Sequence, residues 1–315
     1  MKTYTKVPEL KLADYITGDA AAKAKFSDAL FEGFKYFGFI ILRDHGISDD
    51  LLAQAYRTSE DFFAQDVAIK RDYIGEAGQR GYTAFGSEHA KGNPAPDLKE
   101  FWHVGRETAP ADMTVSYPDN FWPDQPANFK PVFSDLYQAL DQTGQIMLEA
   151  LTPKLGVPAT YFRDLAGGGN SILRLLHYPP LAPGADPKSI RAAAHEDINL
   201  ITLLVAASSS GLELLDRDGT WLPVEGSPNA VIVDAGDMLA RITNNLIPAT
   251  THRVVNPQID GGGPNTSRYS MPFFLHPRSD RTLACIESCK DGSQQPDINA
   301  DEFLHQRLVD IGLKK

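Results

Sequence analysis

The chain has 315 residues, 42% of them hydrophobic and 23% charged, proportions that exclude a disordered or fibrous protein and suit one large domain or two ordinary ones. Its 41 acidic and 30 basic residues leave a net charge of −11, which argues against nucleic-acid or anionic-membrane partners, because those require basic surfaces. An anionic ligand would have to be met by local arginines.

The start, MKTYTKVPELKLADY, has no apolar run suited to a signal peptide, and no later stretch approaches the ~20 apolar residues of a membrane span, so a cytoplasmic location is expected. Apolar residues at helical spacing (Phe26, Leu30, Phe34, Phe37) predict a helix from Ala20 to Tyr36 that feeds the strand-like run FGFIIL. A second amphipathic helix is predicted over Leu51 to Phe63, with Ser48 to Asp50 able to cap it. From Gly75 to Pro126 the chain is rich in Gly, Pro and aromatics, which predicts long loops around short strands. Helical spacing returns from Phe129 to Leu155, and Pro158 opens another short helix.

After AGGGN the pattern becomes β-like: SILRLLHY, NLITLLVAA, GLELLD, AVIVDAG, ATTHRVV and RYSMPFFLH follow one another, with a tight turn at Arg217 to Thr220. Six short strands at this spacing predict an antiparallel jelly roll, closed by a helix over Ala300 to Leu313. The only cysteines, Cys285 and Cys289, lie in CIESC. On an extended strand they would stand about 13 Å apart, beyond disulfide reach, so free thiols are expected.

The segment AAAHEDINLITLL sets an imidazole and two carboxylates directly before a buried-looking run. Burying an unpaired carboxylate costs several kcal/mol, and a bound metal is one compensator. Alternate strand residues share a face, so His195 and Asp197 point together and Glu196 points away. His252 in ATTHRVV is the best third ligand. Two imidazoles and a carboxylate on one side of an octahedral ion leave three positions open, the arrangement of non-haem Fe(II) oxygenases. By itself an H-x-D with a distant His is common, and a histidine alone is more often a satisfied surface or core residue. A second feature is RYSMPFF, where Arg268 and Ser270 share one strand face; a buried guanidinium beside a hydroxyl can clamp a carboxylate, the competing reading being a salt bridge.

Taken together, HED, TTHRV and RYS resemble the iron and 2-oxoglutarate dependent dioxygenases of the isopenicillin N synthase-like group. FGFIILRDHGIS, LRLLHYPP, NLITLL, GLELLDRDGTWLPV and GDMLARITNN extend the resemblance over most of residues 1–280. It implies a mainly β fold with flanking helices, a distorted double-stranded β-helix or jelly-roll core. The implied organisation is an amino-terminal helical and mixed region over 1–165, the core with its site over 166–290, and a carboxy-terminal helix over 291–315. It also implies Fe(II) on His195, Asp197 and His252, and 2-oxoglutarate with its far carboxylate on Arg268 and Ser270. Tyr178 matches a family tyrosine near that pocket, although Leu176, His177 and Tyr178 stand where many plant members have Asn-x-Tyr, so it could equally be a packed core residue.

The implied reaction uses O2, with ascorbate as a supporting reductant, and oxidises a small or medium organic substrate while 2-oxoglutarate gives succinate and CO2. Hydroxylation is the default outcome. A 2-oxoglutarate-independent oxidase like isopenicillin N synthase and a non-catalytic jelly roll holding a metal or small acid are the alternatives; three candidate ligands rather than a filled sphere favour catalysis. Arg80, Tyr82, Phe85, Phe101 and His103 are expected to line the substrate mouth, against the competing reading of local packing. No sequence feature sets an oligomeric state.

Overall fold

The structure is a computed structural model that describes residues 6–75, 79–87, 97–113, 116–181, 190–205, 207–227, 229–257 and 265–310. Its centre is an eight-stranded sheet in the spatial order β1 (Glu9–Lys11), β2 (Phe39–Arg43), β10 (Val231–Ala235), β7 (Ile201–Val205), β12 (Arg268–Leu275), β5 (Ile172–Tyr178), β4 (Glu100–Gly105) and β3 (Gly81–Thr83). A four-stranded sheet, β6 (Ala192–His195), β11 (His252–Val254), β8 (Leu212–Leu215) and β9 (Trp221–Pro223), forms the second sheet of the core. β13 (Thr282–Leu283) and β14 (Ile298–Asn299) pair separately. Apart from the parallel pair of β1 and β2, all the ladders are antiparallel. This is the expected double-stranded β-helix, and β1 to β4 of the amino-terminal part belong to its larger sheet.

The helices are α1 (Leu12–Ile16), α2 (Ala20–Phe37), α3 (Asp49–Phe63), α4 (Val67–Arg71), α5 (Phe129–Leu155), α6 (Tyr161–Ala166), α7 (Asp237–Ile242) and α8 (Ala300–Asp310). α2 and α3 begin where the sequence offers caps: Asp19 accepts from Ala22 N at 2.9 Å, and Ser48 Oγ accepts from Leu51 N at 3.2 Å. The region read as loops contains β3 and β4, and the tail helix is described only as far as Asp310, with 311–315 outside the described residues. Cys285 and Cys289 are free, but not for the reason expected: Glu287–Cys289 forms a 3-10 turn instead of a strand.

Period-two alternation divides the large sheet into two faces. Ile40, Leu42, Trp102, Leu175, Leu203, Val233 and Phe273 face α2, α3 and α5 and join one apolar core. Phe39, Ile41, Phe101, Leu176, Tyr178, Leu204 and Ile232 face the small sheet and join a second one. Burying each large side chain is worth about 1.5–3 kcal/mol, so register is strongly enforced on both faces.

On the helix-facing side lies one buried polar cluster. Lys70 Nζ donates to both Glu100 carboxylate oxygens and to Phe63 O, each at 2.9 Å. Tyr82 donates to Glu100 Oε2, and His177 Nδ1 meets Oε1 at 2.7 Å. Burial would raise the Glu100 carboxyl, but the bonds from His177, Tyr82 and Lys70 outweigh it and hold it below the ordinary carboxylate value. The cluster ties α4 and β3 to β4 and β5. Glu100→Ala leaves the Lys70 charge buried and unpaired and is expected to cost about 3–5 kcal/mol in chemical denaturation. The double variant Lys70→Met, Glu100→Leu should lose less than the single one; equal losses would mean that the cluster is not acting as a unit.

Candidate active site

The HED segment sits at the crossover between the sheets: β6, in the small sheet, ends at His195, and β7, in the large one, begins at Ile201. The expected continuous strand is therefore broken at the carboxylates. His252 opens β11 and is the direct cross-strand partner of His195. That pairing is why residues far apart in sequence meet. Their rings lie 4.4 Å apart, and Asp197 Oδ1 is 3.8 Å from His195 Nε2 and 4.0 Å from His252 Nε2. One ligand-type atom from each of the three lies within 4.8 Å of the others.

Outer contacts fix each of the three candidate ligands. His195 Nδ1 donates to Ala193 O at 2.7 Å and His252 Nδ1 to Thr250 O at 3.1 Å, which leaves both Nε2 atoms as lone-pair donors. Thr202 Oγ1 donates to Asp197 Oδ2, and Asn199 Nδ2 donates to Thr202 Oγ1 at 2.8 Å, leaving Oδ1 turned to the imidazoles. Desolvation and then the neighbouring His252 imidazole push His195 down to about 4, so the neutral form that binds metal prevails at neutral pH. For Asp197, burial is outweighed by His252, His195, Thr202 and Arg174, and its carboxyl is held below the ordinary value. Burial and the Asp197 carboxylate push Asp234, opposite Thr202 on β10, well above it. Glu196 points away and accepts from Thr251 Oγ1 at 2.9 Å.

Two glycines shape these loops. Gly38, with φ +68°, ends α2 so close to the His252 loop that a Cβ would lie 2.3 Å from Thr250 Oγ1; that hydroxyl donates to Phe37 O at 2.7 Å. Gly236 lets α7 begin against the HED segment: Asp237 N donates to Asp197 O at 2.7 Å and Met238 N to Asn199 O at 3.0 Å. A Cβ on Gly236 would stand 2.4 Å from Asn199 O.

The inner faces of β12 and β5 supply the other wall. Arg268 and Tyr178 are cross-strand partners, as are Ser270 and Leu176, so Arg268, Ser270 and Tyr178 face the same cavity as the triad. Arg268 is 1% exposed; its Nε donates to Ser209 O at 3.2 Å, and its Nη1 has no hydrogen-bond partner among the described residues. A buried guanidinium nitrogen without an acceptor, beside a hydroxyl and a phenol, fits a carboxylate. A larger surface hollow of about 370 Å³ beside Tyr36, Arg217 and Thr250 contains none of these residues, so size alone does not mark the site.

The expected mouth residues divide. Tyr82 pairs with Trp102 in β4 and so takes the helix-facing side, where it bonds Glu100; its expected place at the mouth is corrected. Phe85 is half exposed in the turn after β3 and is not among the residues that line the cavity. Arg80 is buried against Asn170 Oδ1 at 3.1 Å, also away from that wall. Phe101 and His103 face the cleft side but stand behind Arg174 instead of lining the cavity: His103 Nε2 accepts from Arg174 Nε at 2.7 Å. Lys99, Arg174, Thr202 and Asp234 do line it and were missed. For Arg174, Thr202 and Asp234 the signal was a polar or charged residue at an inward position of an otherwise apolar strand, as in LRLLHY, NLITLLV and AVIVDAG.

A double-stranded β-helix that brings two imidazoles and a carboxylate together is the architecture of a non-haem iron oxygenase. Residues 169–277 match the 2OG-Fe(II) oxygenase superfamily, and residues 7–125 match the family described as non-haem dioxygenase in morphine synthesis N-terminal. The 2-oxoglutarate-Fe(II) type oxidoreductase hxnY of Emericella nidulans is 30% identical, over 93% of this chain and 85% of that protein. A Caulobacter crescentus protein described as of the 2OG-Fe(II) oxygenase family superposes with a TM-score of 0.86 at 40% identity, covering 98% of this chain and 99% of that one. A full-length Neurospora crassa protein in complex with alpha-KG and thymine gives 0.85 at 29% identity, covering 96% of each chain. The chain belongs to the 2-oxoglutarate- and Fe(II)-dependent oxygenases and is a dioxygenase of that family. Among the described residues no helix is long and apolar enough to cross a membrane.

Gly236→Ala is expected to force the α7 start away from the HED loop, costing about 1–3 kcal/mol of stability by overpacking and weakening metal binding at the same time. Thermal unfolding and a Ni(II) titration check this; an unchanged Ni(II) affinity would show that the loop tolerates the shift.

Proposed function

We propose that His195, Asp197 and His252 hold Fe(II), that Arg268 and Ser270 with Tyr178 beside them hold the far carboxylate of 2-oxoglutarate, and that the enzyme hydroxylates a small organic substrate. When bound, the iron and cosubstrate supply the O2-dependent oxidation of a C–H bond, with 2-oxoglutarate converted to succinate and CO2. The chain's own part is to orient and enclose. Thr202 and the Ala193 and Thr250 carbonyls keep the three ligand side chains aimed together. Arg268, itself 1% exposed, neutralises that carboxylate, and apolar side chains of the cleft line the cavity beside it.

The observation that carries this reading is the Arg268 Nη1 left without an acceptor in the same cavity as the triad. The thymine bound to the Neurospora crassa protein together with alpha-KG supports a small-molecule substrate. We also take 166–290 as the catalytic core, with 1–165 and 291–315 as its amino-terminal region and carboxy-terminal helix. Two free cysteines suit the reducing cytoplasm.

Asp197→Ala should abolish most Fe(II) binding and activity, whereas Glu196→Ala should retain both, as measured by iron content and succinate release. Equal losses at the two positions would reject the ligand assignment. Arg268→Gln should bind iron normally but weaken 2-oxoglutarate about 30-fold or more, since truncating a buried charge pair costs about 2–5 kcal/mol. The measurement is an anaerobic titration of the Fe(II) chelate absorbance. Wild-type affinity in that variant would remove Arg268 from the cosubstrate site.

A further inference from the structure

Beside Arg268 stands a second buried cation. Arg191, the residue before β6, is 3% exposed, and its Nη2 donates to Thr266 O at 2.9 Å, which ties it to the segment leading into β12. Its Nε is buried without a hydrogen-bond partner among the described residues. Arg268 likewise has one bond to a backbone carbonyl and one buried nitrogen without a partner. Both guanidiniums lie over one phenol: the centroid of the Tyr178 ring is 6.0 Å from the Arg191 guanidinium carbon and 5.1 Å from that of Arg268.

Two like charges buried side by side oppose each other unless an anion compensates them. Among the described residues no carboxylate forms an ion pair with either guanidinium. Burial and then the Arg268 charge push Arg191 down to about 10, against a smaller upward influence of Tyr178, so it remains a cation at neutral pH. Arg268 and Tyr178 line the cavity, whereas Arg191 does not, so Arg191 acts on a ligand there through its charge and not by contact. We propose that Arg191 is a positioning residue for the far carboxylate of the cosubstrate: with Arg268 it makes that end of the cavity doubly cationic and selects a keto acid with a charged far end over one with an apolar far end. A carboxylate bound there relieves the repulsion between the two guanidiniums and also supplies the acceptor that Arg268 Nη1 lacks, so both cations add to its affinity.

The assignment rests on the cosubstrate reading of Arg268, and the experiment keeps the two apart. Ni(II)-loaded protein is titrated calorimetrically with 2-oxoglutarate and with 2-oxopentanoate, which carries a methyl group in place of the far carboxylate. The wild type should prefer 2-oxoglutarate; loss of that preference, or no binding of 2-oxoglutarate, would count against the cosubstrate reading and take the assignment with it. Arg191→Gln should weaken 2-oxoglutarate about tenfold while leaving the 2-oxopentanoate and Ni(II) affinities at wild-type values, and Arg191→Lys should recover most of the loss. An arginine with a purely structural role would weaken both keto acids alike. The wild type also offers a check that needs no variant to fold: at equal ionic strength, sulfate should raise the apparent Kd for 2-oxoglutarate about threefold more than chloride does, because two neighbouring guanidinium charges favour a dianion. An unchanged ratio of the two keto-acid affinities in Arg191→Gln, equal weakening of both, a Lys variant no better than the Gln one, or equal effects of sulfate and chloride would each overturn the assignment while leaving Arg268 in its place.

Discussion

The cross-strand pairing of His195 with His252 is the constraint on which the site depends. Two strands of a small sheet bring the imidazoles together, and Asp197 reaches them only because the chain leaves that sheet immediately after His195 to cross to the large one. A carboxylate two residues into a crossover has no ladder to fix it. It is held instead by Thr202 from the next strand and by the start of α7 on its own carbonyl. The ligand set is thus anchored to both sheets, and sliding one sheet against the other would pull Asp197 from the imidazoles. Preorganisation here is a property of the whole sandwich.

Alternation then assigns chemistry to faces. Along β12 the residues Arg268, Ser270, Pro272 and Phe274 look into the cleft, while Met271, Phe273 and Leu275 enter the helix-covered core. Along β5, Arg174, Leu176 and Tyr178 take the cleft, and His177 takes the other side, where it bonds Glu100. The same strands therefore carry two polar systems of opposite character. On the helix side Lys70, Glu100, Tyr82 and His177 satisfy one another, as buried groups must when no ligand will reach them. On the cleft side the Arg268 Nη1 is left without an acceptor. A protein that could complete one cluster so fully has left the other open, and the difference separates a structural network from a binding site.

Much of this was legible in sequence, and what was not has a physical reason. Long amphipathic helices announce themselves by periodicity, so Phe129 and Leu155 bound α5 as expected. The Arg268–Ser270 pair was legible because spacing on a strand determines facing, whereas the triad was legible from its residue types alone, since Asp197 lies beyond the end of β6. Tyr82 was misplaced because facing in β3 is decided by which β4 residue it pairs with, and a three-residue strand between loops carries too little pattern to reveal register. Arg174 was hidden differently. LRLLHY reads as a buried strand, and a charge inside it can be a salt bridge as easily as a site until the neighbouring strands are known. His103 and Phe101, its supports, come from β4, more than seventy residues earlier.

The amino-terminal strands and helices bear on the proposed iron ligands. β2 lies beside β10, which carries Asp234, and Phe39 of β2 packs edge-on against the His252 ring at 5.6 Å. The bend at Gly38 brings the end of α2 onto Thr250, whose carbonyl accepts the His252 Nδ1 proton. The tautomer of one ligand is thereby tied, through one residue, to the docking of a helix that begins at residue 20. Loss of that docking would free His252 to rotate or to expose its other nitrogen, with none of the ligands themselves altered. Packing energy spread over α2 and β2 is in this way converted into the orientation of a single imidazole, so the amino-terminal part helps to position one of the three proposed ligands.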